Sequence, residues 1–530
     1  MTIAASRVKI LCVRPRLNSE SALFLNAVVD EWVHALALHC DVETIEQDFD
    51  LVEIYDRLKP DVLLFDSLHW GRRGRLKIAN IDAFPDLPRA LLLNCDPHDP
   101  MRPLTMDMLS SHRIDTIFCT GVEDLQQMNE LRRLNCFVLP KFIDSDVFRE
   151  YEDARSVPLT ITSAHLMPTF YPWRAQVTAD IQHIIPTLLY PHPGYGHDES
   201  DPFAIRDESY ARTLSRSQFC IADTTKLDYV VRKHLEIPAT GSILVSPPSE
   251  ALDAYGFVDM ENCILGPAGA ELYAKISAVA SNPQLYERIR SNGHSLVHAR
   301  YTRQAWTHIL DWFACRRSLK PGEKVQQQGV FGPFQAVPDG ADIASIAAFV
   351  VHDNPMGLRL RAAREALLNG GDLGPAIAGL KDAMTWVTHV AEPWFMLGVI
   401  ALAIGEFDNA AEWIAQRSSV QGSQGAELGL HDPCEIAWLQ LHAYLTGNEE
   451  LYGQMAACAA ATRHVSIRRV QWLIAGAVPV TDLCAAGLDA PKPGDCPSIH
   501  WLGDEDFMSW FGLIHKVLAA REQAAAKLAA

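Results

Sequence analysis

The chain has 530 residues, 48% hydrophobic and 21% charged, the composition of a folded globular protein of about three to four domains. Sixty-five acidic against 46 basic side chains give a formal charge of −19, the wrong sign for wrapping a DNA or RNA backbone. No run approaches the roughly 18 apolar residues of a membrane span, the N-terminus MTIAASRVKILCVRPRLN lacks a long apolar signal core, and the 12 cysteines form no C-x-x-C pair. A reduced, cytoplasmic chain without a cysteine zinc site is expected.

In chain order, Val8–Val13 is an apolar run of strand length, and residues 21–39 repeat apolar residues at helical spacing. Residues 61–66, 90–94 and 116–120 are further apolar runs, each ending in polar residues. Continuous apolar strands separated by helices predict a parallel sheet covered on both faces, with ligands at the carboxyl ends of its strands. The polar exits therefore become candidates: Asp66, Ser67, His69 and Trp70 after one strand, and Asp96, His98 and Asp99 after the next.

A second α/β unit starts near Pro158. Strands are expected at 159–162, 187–190, 218–222 and 242–246, with helices at 174–185, 268–280 and 283–300. The loop Pro191-His192-Pro193-Gly194-Tyr195-Gly196 leaves the second of these strands with an imidazole and a phenol. The pattern predicts domains at 1–157 and 158–318, two Rossmann-like lobes facing a cleft.

Residues 319–344 have the Gly, Pro and Gln content of a linker. Beyond them the strands stop. Gly371-Asp372-Leu373-Gly374-Pro375-Ala376 recurs 34 residues later as Gly405-Glu406-Phe407-Asp408-Asn409-Ala410, and a looser copy centres on Gly447. With Trp394, Leu397 and Gly398 before the second copy, the spacing predicts a tetratricopeptide-like helical region over 345–530. Two repeats rarely suffice alone, so this region is expected to pack on the lobes or on a second copy of the chain.

One stretch carries a family resemblance. "RKHLEIPATGSILVSPPSEAL" (residues 232–252) and the following Phe257, Asp259, Asn262, Glu271-Leu272, Asn282-Pro283, Ile289, Asn292-Gly293, Thr302 and Arg303 resemble the donor half of GT-B glycosyltransferases. The likeness is nearest to the bacterial CgeB-like group. "YPWR" (171–174), "HPGY" (192–195) and "LPKFIDSDVF" (139–148) extend it upstream, so that it spans roughly residues 8–318. Tyr301 and Lys233 depart from the group's usual His and Arg, and Asp228 takes the place of the first of two acids eight residues apart.

The resemblance implies a metal-independent transferase that uses a nucleotide-diphosphate-sugar and no cofactor. In it Glu236 accepts hydrogen bonds from the donor's ribose hydroxyls. Lys233 and Arg174 face the diphosphate, with Arg232 and Lys226 as further basic candidates. Tyr195, Asp228 and Gly241 line the donor site, with Gly241 allowing close backbone approach and a sharp turn into the next strand. His192 bonds a phosphate or sugar hydroxyl, while Asp96 and Asp99 serve the acceptor as polar groups or base. His192 and His197 lack a third ligand for a metal site. The expected acceptor is a protein or glycan precursor, and the helical region is expected to hold it or a second subunit. Two other readings compete: a GT-B scaffold without turnover, acting through its helices, and a GT-B epimerase or phosphorylase.

Overall fold

The computed structural model of the chain describes residues 7–14, 23–67, 76–93, 102–122, 128–162, 168–190, 207–341, 355–386, 390–419, 431–476, 482–492 and 494–529. Its first lobe is built on β1 (Lys9–Val13), β2 (Asp41–Ile45), β3 (Val62–Asp66), β4 (Arg89–Leu93), β5 (Thr116–Cys119) and β6 (Asn135–Val138). They form one parallel sheet in the order β2-β1-β3-β4-β5-β6. Strands β3, β4 and β5 are buried throughout, as a sheet with helices on both faces requires. Helix α1 (Leu23–Ala37) follows β1, and α2 (Arg102–Ser111) follows β4.

The second lobe repeats the plan. Its chain order is β7 (Val157–Thr162), α3 (Pro172–Ile181), β8 (Thr187–Tyr190), α4 (Asp207–Ser215), β9 (Ser217–Ile221), α5 (Lys233–Ala239), β10 (Ile243–Ser246) and β11 (Ile264–Leu265). The parallel sheet runs β8-β7-β9-β10-β11. Order reverses between β7 and β9, so the connections leave these two strands in opposite directions and open a crevice at their carboxyl ends. The sequence thus predicts both parallel sheets correctly.

After α6 (Pro283–Arg300) the chain returns to the first lobe. Trp306 and three residues of α7 (His308–Arg317), namely Ile309, Trp312 and Phe313, share a core with Ile10, Trp32, Leu64 and Phe118. Trp306 meets the Trp32 ring edge-on at 4.7 Å, and Trp312 meets Phe118 at 5.2 Å. The boundary expected at 318 therefore divides the chain in sequence but not in space.

The linker expected at 319–344 contains an antiparallel hairpin, β12 (Glu323–Gln327) with β13 (Phe334–Pro338). It is docked on β6. The Gln327 amide accepts from Val138 N and donates to Val138 O, both at 2.8 Å, and Phe334 meets the Phe137 ring at 5.4 Å. Of the Gly and Pro residues suggesting a linker, Gly329, Gly332 and Pro333 lie in the hairpin's turn, with Gly329 at φ +67°, while Pro321, Gly322 and Gly340 flank the strands.

Beyond the hairpin three helix pairs follow: α8 (Pro355–Asn369) with α9 (Leu373–Met384), α10 (Ala391–Ile404) with α11 (Phe407–Ser419), and α12 (Pro433–Thr446) with α13 (Glu449–Ala461). Helices α14 (Val465–Ile474) and α15 (Phe507–Ala529) complete the region. The sequence recurrence marks the turns within the pairs: Gly405 and Gly447 are left-handed caps ending α10 and α12. At Gly398 a Cβ atom would come 3.0 Å from the Ala410 carbonyl and run into Ile414, so α10 and α11 touch backbone to side chain there. Phe395 is buried with its ring stacked 3.9 Å from His500, while Trp394 pairs with Trp413 at 5.4 Å. Among the described residues no helix is long and apolar enough to cross a membrane.

This region packs on both lobes, one of the two arrangements expected. Phe170 and Leu227 of the second lobe enter the helical core, and Lys226 lies 5.0 Å from the centre of the Trp386 ring. On the first lobe the Asn129 amide donates to the Ser498 and His500 carbonyls, at 3.3 Å each. Beside it Arg102 of α2 makes a bidentate pair with Glu130, at 2.6 and 2.7 Å, and also pairs with Glu392 of α10. All three side chains of this triad are buried. Arg102→Met strands two buried carboxylates and is expected to cost about 3–5 kcal/mol in urea unfolding. Glu392→Gln keeps a hydrogen-bonding partner for Arg102 and should cost only about 1–2 kcal/mol.

Candidate active site

The crevice between β7 and β9 gathers charge from three elements. Arg174 stands in the first turn of α3, which Pro172 opens, and its guanidinium covers the Tyr171 ring at 4.0 Å. Asp223 lies two residues beyond β9, only 1% exposed, with an oxygen 3.4 Å from Arg174 Nη1. Lys233 begins α5 and Glu236 stands one turn further along. Glu236 has only 8% of its surface exposed, and Arg232 Nε approaches it at 3.4 Å. The same Arg232 reaches across to Glu31 on α1 of the first lobe, at 2.6 Å, tying the two lobes together beside the crevice.

Burial governs the protonation of these groups. It pushes the Asp223 carboxyl up to about 6, although Arg174 and Lys233 pull it down. It lowers the Lys233 ammonium to about 8, with Arg174 adding repulsion and Glu236 and Asp223 opposing. The Glu236 carboxyl is raised by burial, against the pull of Arg232. Tyr210 of α4 has its phenol raised by burial and then by the Glu236 charge. His234 is held neutral, pushed by burial to about 4, and lies 3.2 Å from Ser246 Oγ. Its role is to join α5 to β10.

Arg174, Lys233 and Glu236 are thus brought together as expected. Asp228 lies on the loop from β9 to α5 with φ +60°, a left-handed backbone suited to Asp. Gly241 requires correction as a donor-binding residue. It lies just before the amino end of β10, at the sheet edge away from the crevice. At φ +75° its Cβ position is taken by the Glu150 carboxylate and the Arg155 guanidinium, so glycine serves the turn and its packing. Asp96, Asp99, His192 and Tyr195, with His69, Trp70, His98 and His197, lie outside the described residues. Among the described residues no group of three or more His, Cys, Asp and Glu is placed to hold a metal ion. Asp66 and Ser67 are buried at the end of β3. Asp144 accepts from the Asp146 amide at 2.9 Å, and both carboxylates pair with Arg303, a turn role.

Sequence reasoning passed over Asp223 and Glu31. Asp223 had a readable signal, a polar exit from the apolar run at β9 like those used in the first lobe. Glu31 is one acid on an amphipathic helix, and only tertiary structure brings it to Arg232.

The comparisons follow this geometry. Residues 187–311 match the family described as "Glycosyl transferase-like", so the segment holding Asp223, Lys233 and Glu236 is glycosyltransferase-like, as the sequence leads one to expect. No curated protein matches the chain. Similar solved structures include a sucrose-phosphate synthase from Thermosynechococcus elongatus, at 12% identity and a TM-score of 0.41, covering 59% of this chain and 99% of that one. A glycosyltransferase from Rickettsia africae is similar at 10% identity and a TM-score of 0.39, covering 60% and 100%. Anabaena HepE in complex with UDP-glucose is similar at 11% identity and a TM-score of 0.37, covering 56% and 96%.

Lys233 yields a prediction whose sign is fixed. Its proton is held to about 8 in the fold against 10.5 in the free side chain, so its charge costs stability below pH 8 and costs nothing above 10.5. Lys233→Met should therefore be more stable than wild type at pH 7, by about 1 kcal/mol, and lose that advantage at alkaline pH. Thermal unfolding at pH 7 and at pH 10.5 checks both parts.

Proposed function

We propose that the protein is a glycosyltransferase that moves a sugar from a nucleotide-diphosphate-sugar to a hydroxyl of a protein or glycan precursor in the cytoplasm, without a metal ion. The reading is carried by the convergence of Arg174, Lys233 and Glu236 at the reversal point of the second sheet. Two cations flank the place for a diphosphate, and a carboxylate one turn along α5 stands where a ribose diol would present two donors. Arg174 also lies in the first turn of a ten-residue helix, whose free amides favour an anion. Negative charge grows on the leaving diphosphate as the glycosidic bond breaks, and preorganised cations stabilise it without reorganisation.

In this reading Tyr195 stacks on the base and His192 bonds a phosphate or sugar hydroxyl. Asp228 lines the donor site, and Asp96 and Asp99 orient the acceptor across the cleft. The subgroup likeness is to CgeB-like proteins, and the helix pairs are of tetratricopeptide type. Because those helices pack on both lobes, we read them first as a brace for the cleft. A scaffold without turnover stays as the alternative outcome of the experiments below.

A screen of UDP-, GDP-, CMP- and dTDP-sugars, read by release of the nucleotide, tests the assignment; transfer or slow hydrolysis with one donor is expected. Glu236→Gln keeps shape but loses charge and an acceptor, so affinity for that donor should fall by about 1.5–3 kcal/mol, roughly 10- to 150-fold, with the fold retained. Unchanged affinity in the folded variant refutes the ribose role. Turnover should persist in excess chelator; loss restored by magnesium or manganese refutes metal independence.

A further inference from the structure

Asp223 is the group in the crevice that the proposed chemistry leaves unused. It is an acid with 1% exposure at the reversal point of the sheet, held by the backbone amides of Arg174 and of Asp223 itself and by no side-chain hydrogen bond. A buried carboxylate in that state is costly, so its partners are the charges around it. From α3 Arg174 approaches to 3.4 Å, and from α5 Lys233 acts on it through space. Beyond Lys233 stand Glu236, Arg232 and, from the first lobe, Glu31. Together the six groups are three cations and three carboxylates, a set balanced only while no ligand is present.

A diphosphate arriving at Arg174 and Lys233 brings two further negative charges. Resting on the nucleotide-sugar reading above, we propose that Asp223 is a proton-exchanging positioning residue. It holds Arg174 as a carboxylate while the crevice is empty and takes up one proton from solvent when the donor diphosphate claims Arg174 and Lys233. The balance is simple: one solvent proton adds to one Asp223 oxygen, no covalent bond of the donor changes, and the net charge of Asp223, Arg174 and Lys233 goes from +1 to +2 against the diphosphate. The Asp223 carboxyl already stands raised to about 6 by burial with both cations at hand. When the ligand engages those cations, its proton affinity rises further.

The sign follows from linkage. Because the complex holds a proton that the free protein lacks above about pH 6, affinity should rise as pH falls from 8 toward 6 and level off below. Above about pH 8 loss of the Lys233 proton weakens binding independently. The probe is the nucleotide-sugar chosen by the donor screen, since its diphosphate diester does not titrate near neutral pH. Calorimetry with the full-length protein at pH 7, in buffers of different ionisation enthalpy, should show net uptake of up to one proton per donor bound. Asp223→Asn, which cannot exchange that proton, should show uptake reduced to the small share Lys233 contributes at pH 7, and bind up to about tenfold more tightly than wild type at that pH, with affinity nearly flat between pH 6 and 7. Donor binding without proton uptake in wild type overturns the proposal, and that measurement stands whether or not the variant folds. Uptake at pH 7 that persists undiminished in a folded Asp223→Asn, or merely weaker binding with an unchanged pH profile, overturns it as well. No binding of any nucleotide-sugar overturns the donor reading itself and this inference with it.

Discussion

The second lobe is organised around charges that its sheet reversal forces indoors. Asp223, Arg174 and Glu236 each retain less than a tenth of their surface, and Lys233 is half-buried beside them. Removing such groups from water opposes folding, and the attraction between their opposite charges recovers only part of that cost. The compensation comes from apolar packing beneath. Leu159, Ile161, Phe219, Ile221, Ile243 and Val245 pack with Val177 of α3 on one face of the sheet, and Cys220 and Leu244 pack with Leu235 and Ile237 of α5 on the other. A crevice of this kind is stable only on a rigid base.

Much of the sequence phrase that resembles a glycosyltransferase builds that base and never faces the crevice. Asn282 caps α6 by accepting from Leu285 N at 3.1 Å, and Asn292 donates to the Glu261 carbonyl at 2.9 Å. A Cβ at Gly293 would lie 2.5 Å from the Asn262 carbonyl and 3.4 Å from Pro238, which is in the same helix as Glu236. Asp259 accepts from Leu265 N at 2.8 Å and pairs with Lys275 at 2.9 Å. These residues set the height and tilt of α5. The resemblance therefore reports on Glu236 indirectly, through the packing that aims it.

What was legible in the sequence follows from how locally each feature is determined. Strands β3, β4, β5 and β9 are buried on both faces and read directly as apolar runs. Strand β2, DVETI, lies at the sheet edge with alternating exposed residues, so it offers no such run. The hairpin at Glu323–Pro338 carries Gln, Glu and Lys in its strands, and its place is fixed by the distant Val138 and Phe137. At the site, Arg174, Lys233 and Glu236 could be found from strand order and one motif. The tie between Arg232 and Glu31 spans 201 residues of sequence and belongs to no local pattern.

The helical region bridges the lobes, and this constrains how they can move. The chain already crosses between them twice, at 139–148 and again at 301–306, where Ile143 and Thr302 form an isolated parallel bridge. The helices add a third attachment well away from those crossings, through Arg102 and Asn129 on one lobe and Phe170 and Leu227 on the other. Two bodies joined at separated points keep one easy rotation, about the line through those points. Any opening of the cleft about that line would also have to break the Arg232–Glu31 pair that ties the start of α5 to α1.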